Sequence, residues 1–415
     1  MLSAGYVDEL VELGLAGGLD RVAVASAEPF DDTRRDLDER AAAGLASTMQ
    51  FTYRNPARST DPSATLAGAA SLVVGARSYG HVRAEVPAGA PVAARVARYA
   101  DRDHYGALRQ GLERMAARLR DDGWQARLLV DDNALVDRAA AHRAGLGWFG
   151  KNANVLVPGL GSWVVLGSVL TDSPLPSSDT PVADGCGTCT RCVAACPTGA
   201  IVAPGVIDAR RCLAWLVQAE GVFPVEHRVA LGDRLYGCDE CQEVCPPSRA
   251  SITPSTVPVA EPGQTRAREP ADVVGDPARA SASPVTPATP GDWVDVVDLL
   301  GADDDTLLAR FGRWYIPARQ PRYLRRNALI VLGNAGRGDD PAVAAALARA
   351  LADPDGLVRA HAVWAARRLG RDDLLQAVAG DTDPQVQAEL ETGVETGAPL
   401  LAPGSASTSR PGTAR

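Results

Sequence analysis

Eight cysteines fall between Cys186 and Cys245, and none lies elsewhere in the 415 residues. They read C-x2-C-x2-C-x3-C-P at Cys186, Cys189, Cys192, Cys196 and Pro197, then Cys212 alone, then C-x2-C-x3-C-P at Cys238, Cys241, Cys245 and Pro246. Thiolates spaced in this way give three ligands to one 4Fe-4S cluster while the fourth reaches across to its neighbour. The spacing assigns Cys186, Cys189, Cys192 and Cys245 to one cluster, and Cys196, Cys212, Cys238 and Cys241 to a second. Two zinc sites are the alternative, but zinc motifs pair C-x2-C units and lack this run with its terminal proline. A disulfide scaffold suits a small secreted chain, whereas residues 1–7 have neither the basic region nor the apolar core of a secretion signal. Two clusters side by side make an electron path, so an acceptor is expected nearby.

The remaining composition narrows the class. Hydrophobic residues make up 46% and charged residues 22%, which is globular, and the length suits two or three domains. No stretch approaches the roughly 18 apolar residues of a membrane span, so no membrane contact and a cytoplasmic location are expected. With 42 basic and 51 acidic residues the net charge is -9, which excludes a bulk basic field for nucleic acid. Any phosphate-binding surface must then be a local patch. Arg310, Arg313, Arg319, Arg322, Arg325 and Arg326 run with no acid between Asp305 and Asp339 and are the candidate; a solvated helix face is the alternative. Lys151 is the only lysine.

Apolar runs at residues 72–75, 126–130 and 163–169 read as buried strands, and residues 103–122 and 134–144 as helices, giving an α/β or α+β domain. Residues 251–290, rich in Pro, Ala, Ser and Thr, read as a flexible insertion. Beyond it, similar helical units near 323, 357 and 385, each with a nearby proline (Pro321, Pro354, Pro384), suggest a short HEAT-like solenoid that must pack against the body of the protein. The expected divisions are 1–180, 181–250, 251–290, 291–396 and a disordered tail, 397–415.

A second motif spans residues 130–152. Gly145, Gly150 and Lys151 imitate a P-loop, but Asn152 replaces the Mg-binding hydroxyl and the loop follows a helix. Asp131 or Asp132 reads either as the N-cap of the helix 134–144, closed by Gly145, or as a general acid whose pKa is raised by desolvation at a strand end. In residues 98–105, Asp103 caps the following helix and His104 is expected at the surface.

Taken together, the D-x5-[DE]-R segment at Asp131, Asp137 and Arg138, the AGLGW-x-GKN that follows it, the double-cluster cysteines with Cys212, and RRNALIVLGN in a HEAT-like unit resemble the epoxyqueuosine reductase family. The resemblance covers roughly residues 20–250 and 305–395. It implies an α+β fold with an N-terminal α/β cobalamin-binding domain, a ferredoxin-like domain with two 4Fe-4S clusters, and C-terminal HEAT-like repeats. It further implies reduction of epoxyqueuosine to queuosine at the wobble position of tRNA, with electrons passing through the clusters to cobalamin. By motif, Asp131 is the implied proton donor. Arg58, Tyr99, Val155 and Leu166 line the corrin, Asp239 stands between cluster and cofactor, and Arg138 approaches the tRNA. Arg322 and Arg325 are the patch residues expected on the anticodon stem-loop. An unidentified electron donor and a monomeric state complete the expectation. The rivals are a soluble reductive dehalogenase-like cobalamin reductase and a non-enzymatic electron-transfer scaffold.

Overall fold

The computed structural model describes residues 4–51, 53–178, 181–252 and 291–392. The expected insertion, beyond its first two residues, and the expected tail lie outside this range.

The N-terminal part is built on one four-stranded sheet in the order Arg21–Ser26, Ser71–Ser78, Val164–Thr171, Ala126–Val130. Every pairing is antiparallel, so of the two expected topologies the domain takes α+β. The central strands are covered on both faces, which is why they read as continuous apolar runs and not as alternating ones. Helices Ala4–Ala16 and His104–Asp121 cover one face through Leu10, Leu108, Leu112, Met115 and Leu119. The last four recur at helical spacing, and the Asp103 carboxylate caps the helix by accepting from Gly106 N at 2.8 Å. Helices Asp31–Ala42 and Asp137–Arg143 cover the other face. The second starts three residues later than its apolar pattern suggests. Asp132 accepts from Ala134 N at 2.9 Å and so closes a turn ahead of the helix, whose N-cap is Val136. Gly145, just past Ala144, takes a left-handed φ of 70°.

The cysteine segment is joined to both neighbours by a small sheet. Strand Ala93–Val96 pairs in parallel with Arg234–Tyr236 and antiparallel with Trp293–Asp295. A single apolar cluster runs from Val92 and Val96 through Leu213, Phe223 and Leu235 into the C-terminal helices. His81, Asp101 and Asp292 converge beneath this sheet, and His104, Arg102 and Arg83 complete the contacts of the two carboxylates.

Four helices, Arg322–Ala335, Pro341–Leu351, Gly356–Arg368 and Pro384–Glu391, form the C-terminal stack. Asp340, Asp355 and Asp383 cap the last three. The aspartates beside the prolines in the repeat pattern are therefore helix starts. No helix among the described residues is long and apolar enough to cross a membrane.

The stack is latched to the cysteine segment through residues 326–334, and farther along Phe223 N donates to His361 Nε2 and Arg228 pairs with Glu389. Arg326 is fully buried and donates to the carbonyls of Leu216, Val217, Ala219 and Gly221. Asn327 Nδ2 donates to Val217 O at 2.8 Å, and Asn334 Nδ2 to Arg228 O at 2.8 Å. Leu216 and Val217 end the short helix that Cys212 begins, so the cation rests on the negative end of that helix. Burial pushes the guanidinium pKa down, with Tyr323 opposing and Arg228 adding to the fall. Arg326→Met removes the donors to four buried carbonyls while keeping the stem's volume. We expect a loss of at least about 3 kcal/mol, read as a lower urea midpoint of the whole chain. An unchanged midpoint contradicts the latch.

Candidate functional site

All eight cysteines are unbridged and half-buried. Each C-P pair ends one short helix region: Cys196 follows helix Arg191–Ala195, and Cys245 caps helix Pro246–Ala250 with Pro246 in the first position. Helices Arg191–Ala195 and Glu240–Glu243 pack together, which brings the two motifs face to face. Burial raises the thiol pKa of Cys192, and Cys245 and then Cys186 add to the rise. Burial also raises Cys238, to about 12, and Cys212 contributes. Cys241 is pushed up by burial, then by Cys238 and Cys212. The thiols therefore act on one another, within each motif and, through Cys192 and Cys241, between them. Such a donor set fits iron–sulfur clusters, because ionising several buried thiols together requires a positive centre.

The turn 147–154 lies under both motifs. Lys151 Nζ donates to Gly187 O at 2.7 Å and Cys189 O at 3.0 Å. Asn152 Nδ2 donates to Cys241 O at 3.4 Å. The glycines of this turn serve close packing: a Cβ on Gly150 would stand 2.2 Å from Leu156 Cδ1, and one on Gly147 2.2 Å from Leu156 O. Trp148 packs its ring against Gly185, beside Cys186. Its buried indole N–H has no acceptor among the described residues, and the same is true of Trp215, three residues past Cys212.

Asp131 ends strand Ala126–Val130 with a φ of 53°, in the left-handed region that a non-glycine residue seldom occupies. It is exposed, and the desolvation expected for it falls on Asp137 instead. One carboxyl oxygen of Asp137 is buried without a partner. Burial first, and Asp131 second, hold this carboxyl well above the usual range, with Arg138 opposing. Tyr105, whose phenol burial and then Asp131 push up, stands in the same field, as does Tyr236. These phenols are neutral donors. Tyr99 is 6.3 Å from Tyr236 between ring centres and accepts from Gln218 Nε2 at 3.3 Å. Arg58 is exposed on helix Pro56–Ser59, whose Ser59 carbonyl accepts from Val136 N, so it lies beside the Asp131 turn. Arg138 is exposed and donates to Ala153 O at 3.3 Å.

Other expected residues are placed differently. Val155 and Leu166 are packed in the apolar core with Ala139, Ala140 and Leu146. Asp239 is buried and turned into an arginine network, accepting from Arg98 N at 2.9 Å and from Arg83 at 3.3 Å; its other oxygen has no partner. His104 is buried, not superficial, and bonds to Asp101 at 2.8 Å. The C-terminal arginines do not form an unpaired patch: Arg310 pairs with Asp298, Arg322 with Asp355 and Arg325 with Asp304. Acids distant in sequence reach them, which a window from Asp305 to Asp339 does not reveal. Asp137, Tyr105 and Tyr236 went unread as a group because they come from three separate segments; the D-x5-D spacing was the available signal for the first.

Residues 185–248 match the family described as a 4Fe-4S double cluster binding domain, and residues 316–394 match HEAT repeats. The epoxyqueuosine reductase of Staphylococcus aureus is 30% identical over 400 residues, 94% of this chain and 96% of that one. That of Xanthomonas campestris is 37% identical over 281 residues, 66% of this chain and 70% of its own. A crystal structure of epoxyqueuosine reductase with an epoxyqueuosine-modified tRNA-Tyr stem loop superposes with a TM-score of 0.78 at 28% identity, covering 93% of this chain and 97% of that one. A Bacillus subtilis epoxyqueuosine reductase structure described with its catalytic aspartate loop swung out of the active site gives 0.78 at 26% identity over the same shares. An antiparallel α+β domain, a double-cluster domain and HEAT repeats latched together define an iron–sulfur oxidoreductase. The chain belongs to the epoxyqueuosine reductase family.

The buried Asp137 has a consequence for stability. A carboxyl with a raised pKa binds more protons folded than unfolded, so its contribution is complete below the unfolded value of about 3.9 and is lost as pH rises toward the folded one. Asp137→Asn abolishes that titration. Between about pH 5 and 8 the denaturation midpoint of the variant should gain on that of the parent as pH increases. A constant difference across this range would mean Asp137 is solvated.

Proposed function

We propose that this chain reduces epoxyqueuosine in tRNA to queuosine in the cytoplasm, using two 4Fe-4S clusters and cobalamin, with electrons from a separate donor. The observation that carries the reading is the strained, exposed Asp131 backed by the neutral Asp137, beside a double-cluster domain. Removing an epoxide oxygen as water and leaving an alkene takes two electrons and two protons. Cobalamin, when bound, supplies the electron-rich metal that opens the epoxide, and the clusters of the two cysteine groups supply its electrons. Arg58, Tyr99, Tyr105 and Tyr236 surround the Asp131 turn with polar groups that could hold that cofactor. Asp131 protonates the oxygen as it leaves. Asp137, a half-buried carboxyl with its pKa held well above the usual range, is a second acid in the field of Asp131 and restores that proton.

The left-handed backbone at Asp131 is costly, about 1–3 kcal/mol for a residue of this kind, and a pure cap would not require it. Asp131→Asn should keep iron, sulfide and corrin content and lose turnover about a hundredfold or more. Asp131→Gly should lose turnover as well while gaining about 1 kcal/mol of stability. Unchanged turnover in both would return the residue to a turn-forming role. The decisive test of the function itself is nucleoside analysis of tRNA from a strain lacking this protein, where epoxyqueuosine should accumulate in place of queuosine.

For the RNA we propose contacts from Arg138 and from Arg322 and Arg325, the last two by exchanging Asp355 and Asp304 for phosphates. Each phosphate contact contributes roughly one unit to the slope of log affinity against log salt, and a carboxylate already held reduces the gain. Arg322→Ala with Arg325→Ala should lower both the slope and the affinity for the anticodon stem-loop. A parent-like slope would show that these arginines serve only their ion pairs, leaving Arg138 as the contact to examine.

A further inference from the structure

A chain that uses arginine for all but one of its 42 basic residues keeps its single lysine at Lys151. The side chain is half-buried, and its two acceptors are Gly187 O, beside Cys186, and Cys189 O. The ammonium is thereby fixed in the loop that carries two of the four thiols assigned to the first cluster. Trp148, three residues earlier in the same turn, presses the nitrogen-bearing side of its indole on Gly185: a Cβ there would lie 2.7 Å from Cζ2 and 3.1 Å from Cε2, the carbon bonded to Nε1. That N–H is buried and unpartnered among the described residues. A buried donor without an acceptor is rare enough to require a reason, and a missing acceptor of suitable softness is cluster sulfur. The opposing charge is Asp184, whose carboxylate accepts from Cys186 N at 2.8 Å but is exposed and therefore screened. In the second motif the cations are met by acids, Arg83 and Arg98 by Asp239 and Arg95 and Arg234 by Glu240, and the turn itself offers only the neutral Asn152 to Cys241 O.

We infer that Lys151 raises the reduction potential of the cluster held by Cys186, Cys189, Cys192 and Cys245 relative to the other cluster. The Trp148 N–H acts in the same sense on its own cluster but is matched on the other side by the Trp215 N–H beside Cys212. The inference rests on the two-cluster reading proposed above. Reduction adds one electron and no proton, so the cluster becomes more negative by one charge. A cation fixed in the loop that carries two of the ligands would stabilise that form, and a donor to sulfur would do the same. Lys151 acts through the loop it holds and is a positioning residue, which separates its charge from its role as a clamp.

The test uses the protein loaded with both clusters under anaerobic conditions. Iron and sulfide in the parent, expected at about eight each per chain, check the two-cluster reading independently. EPR-monitored redox titrations then compare Lys151→Gln, Lys151→Arg and Trp148→Phe with the parent. Lys151→Gln should make reduction of one cluster about tenfold less favourable, equivalent to about 59 mV for one electron, and leave the other unmoved. Lys151→Arg, which keeps the charge but spreads it, should recover most but not all of the shift, and Trp148→Phe should shift the same signal in the same direction as Lys151→Gln. Should Lys151→Gln fail to retain iron, acetylating the single lysine of the loaded parent removes the charge after assembly and is read in the same way. Eight irons with both potentials unchanged after loss of the charge overturns the inference and leaves the two-cluster reading standing. Fewer than eight irons in the parent removes the reading first.

Discussion

Thiols packed together in a folded chain resist ionisation, since each thiolate loses its water and meets its neighbours' charge. Cys192, Cys238 and Cys241 all show this: burial raises them, and other cysteines raise them further. The segment from 186 to 245 is thus most stable as protein when its thiols are protonated, and useful only when they are not. Iron resolves the conflict by supplying the positive charge, so cluster assembly and local folding are thermodynamically linked. Until then something else must hold the loops in place. The small sheet, the Lys151 and Asn152 contacts and the Arg326 latch are that something, and each reaches the segment from a different part of the chain.

This arrangement explains what could be read in the sequence and what could not. The three strands at 72–75, 126–130 and 163–169 were legible because apolar content decides a buried strand locally. The repeats were legible from their period and the proline near the start of each unit. Antiparallel order was not, because pairing depends on contacts between segments nearly a hundred residues apart, such as Val73 with Val169. The same limit applied to charge. Arg322 and Arg325 looked unopposed in a linear window, yet Asp355 and Asp304 meet them in space. Asp131 was singled out for a desolvation that the fold gives to Asp137, one turn further on, where the helix begins.

That exchange between the two aspartates makes chemical sense. A group that must meet a large substrate has to be reachable, and reachability forbids the burial that would keep it protonated near neutrality. Dividing the work resolves this: Asp131, presented by a left-handed backbone turn, has the access, while Asp137, enclosed beneath it with Tyr105 alongside, has the proton. The backbone strain at Asp131 then has a cause beyond capping, since strain of this kind is held where a side chain must be presented in one fixed way.

Arg326 and Lys151, which both donate to backbone carbonyls of the cysteine segment, are not interchangeable, and the difference is geometric. Arg326 must satisfy four carbonyls and the Asn327 side chain at once, spread over residues 216–221, and only a planar fork with five donors spans them. Its charge is correspondingly delocalised and distributed among acceptors at the end of a helix. Lys151 has two carbonyls to reach, both in one tight loop, and concentrates a full charge at one atom within that loop. A guanidinium could clamp residues 187 and 189, but its charge would be spread over a larger, more weakly hydrated group. Retention of a lysine here, in a chain otherwise built with arginine, fits a position where the location of the charge matters as well as the number of hydrogen bonds.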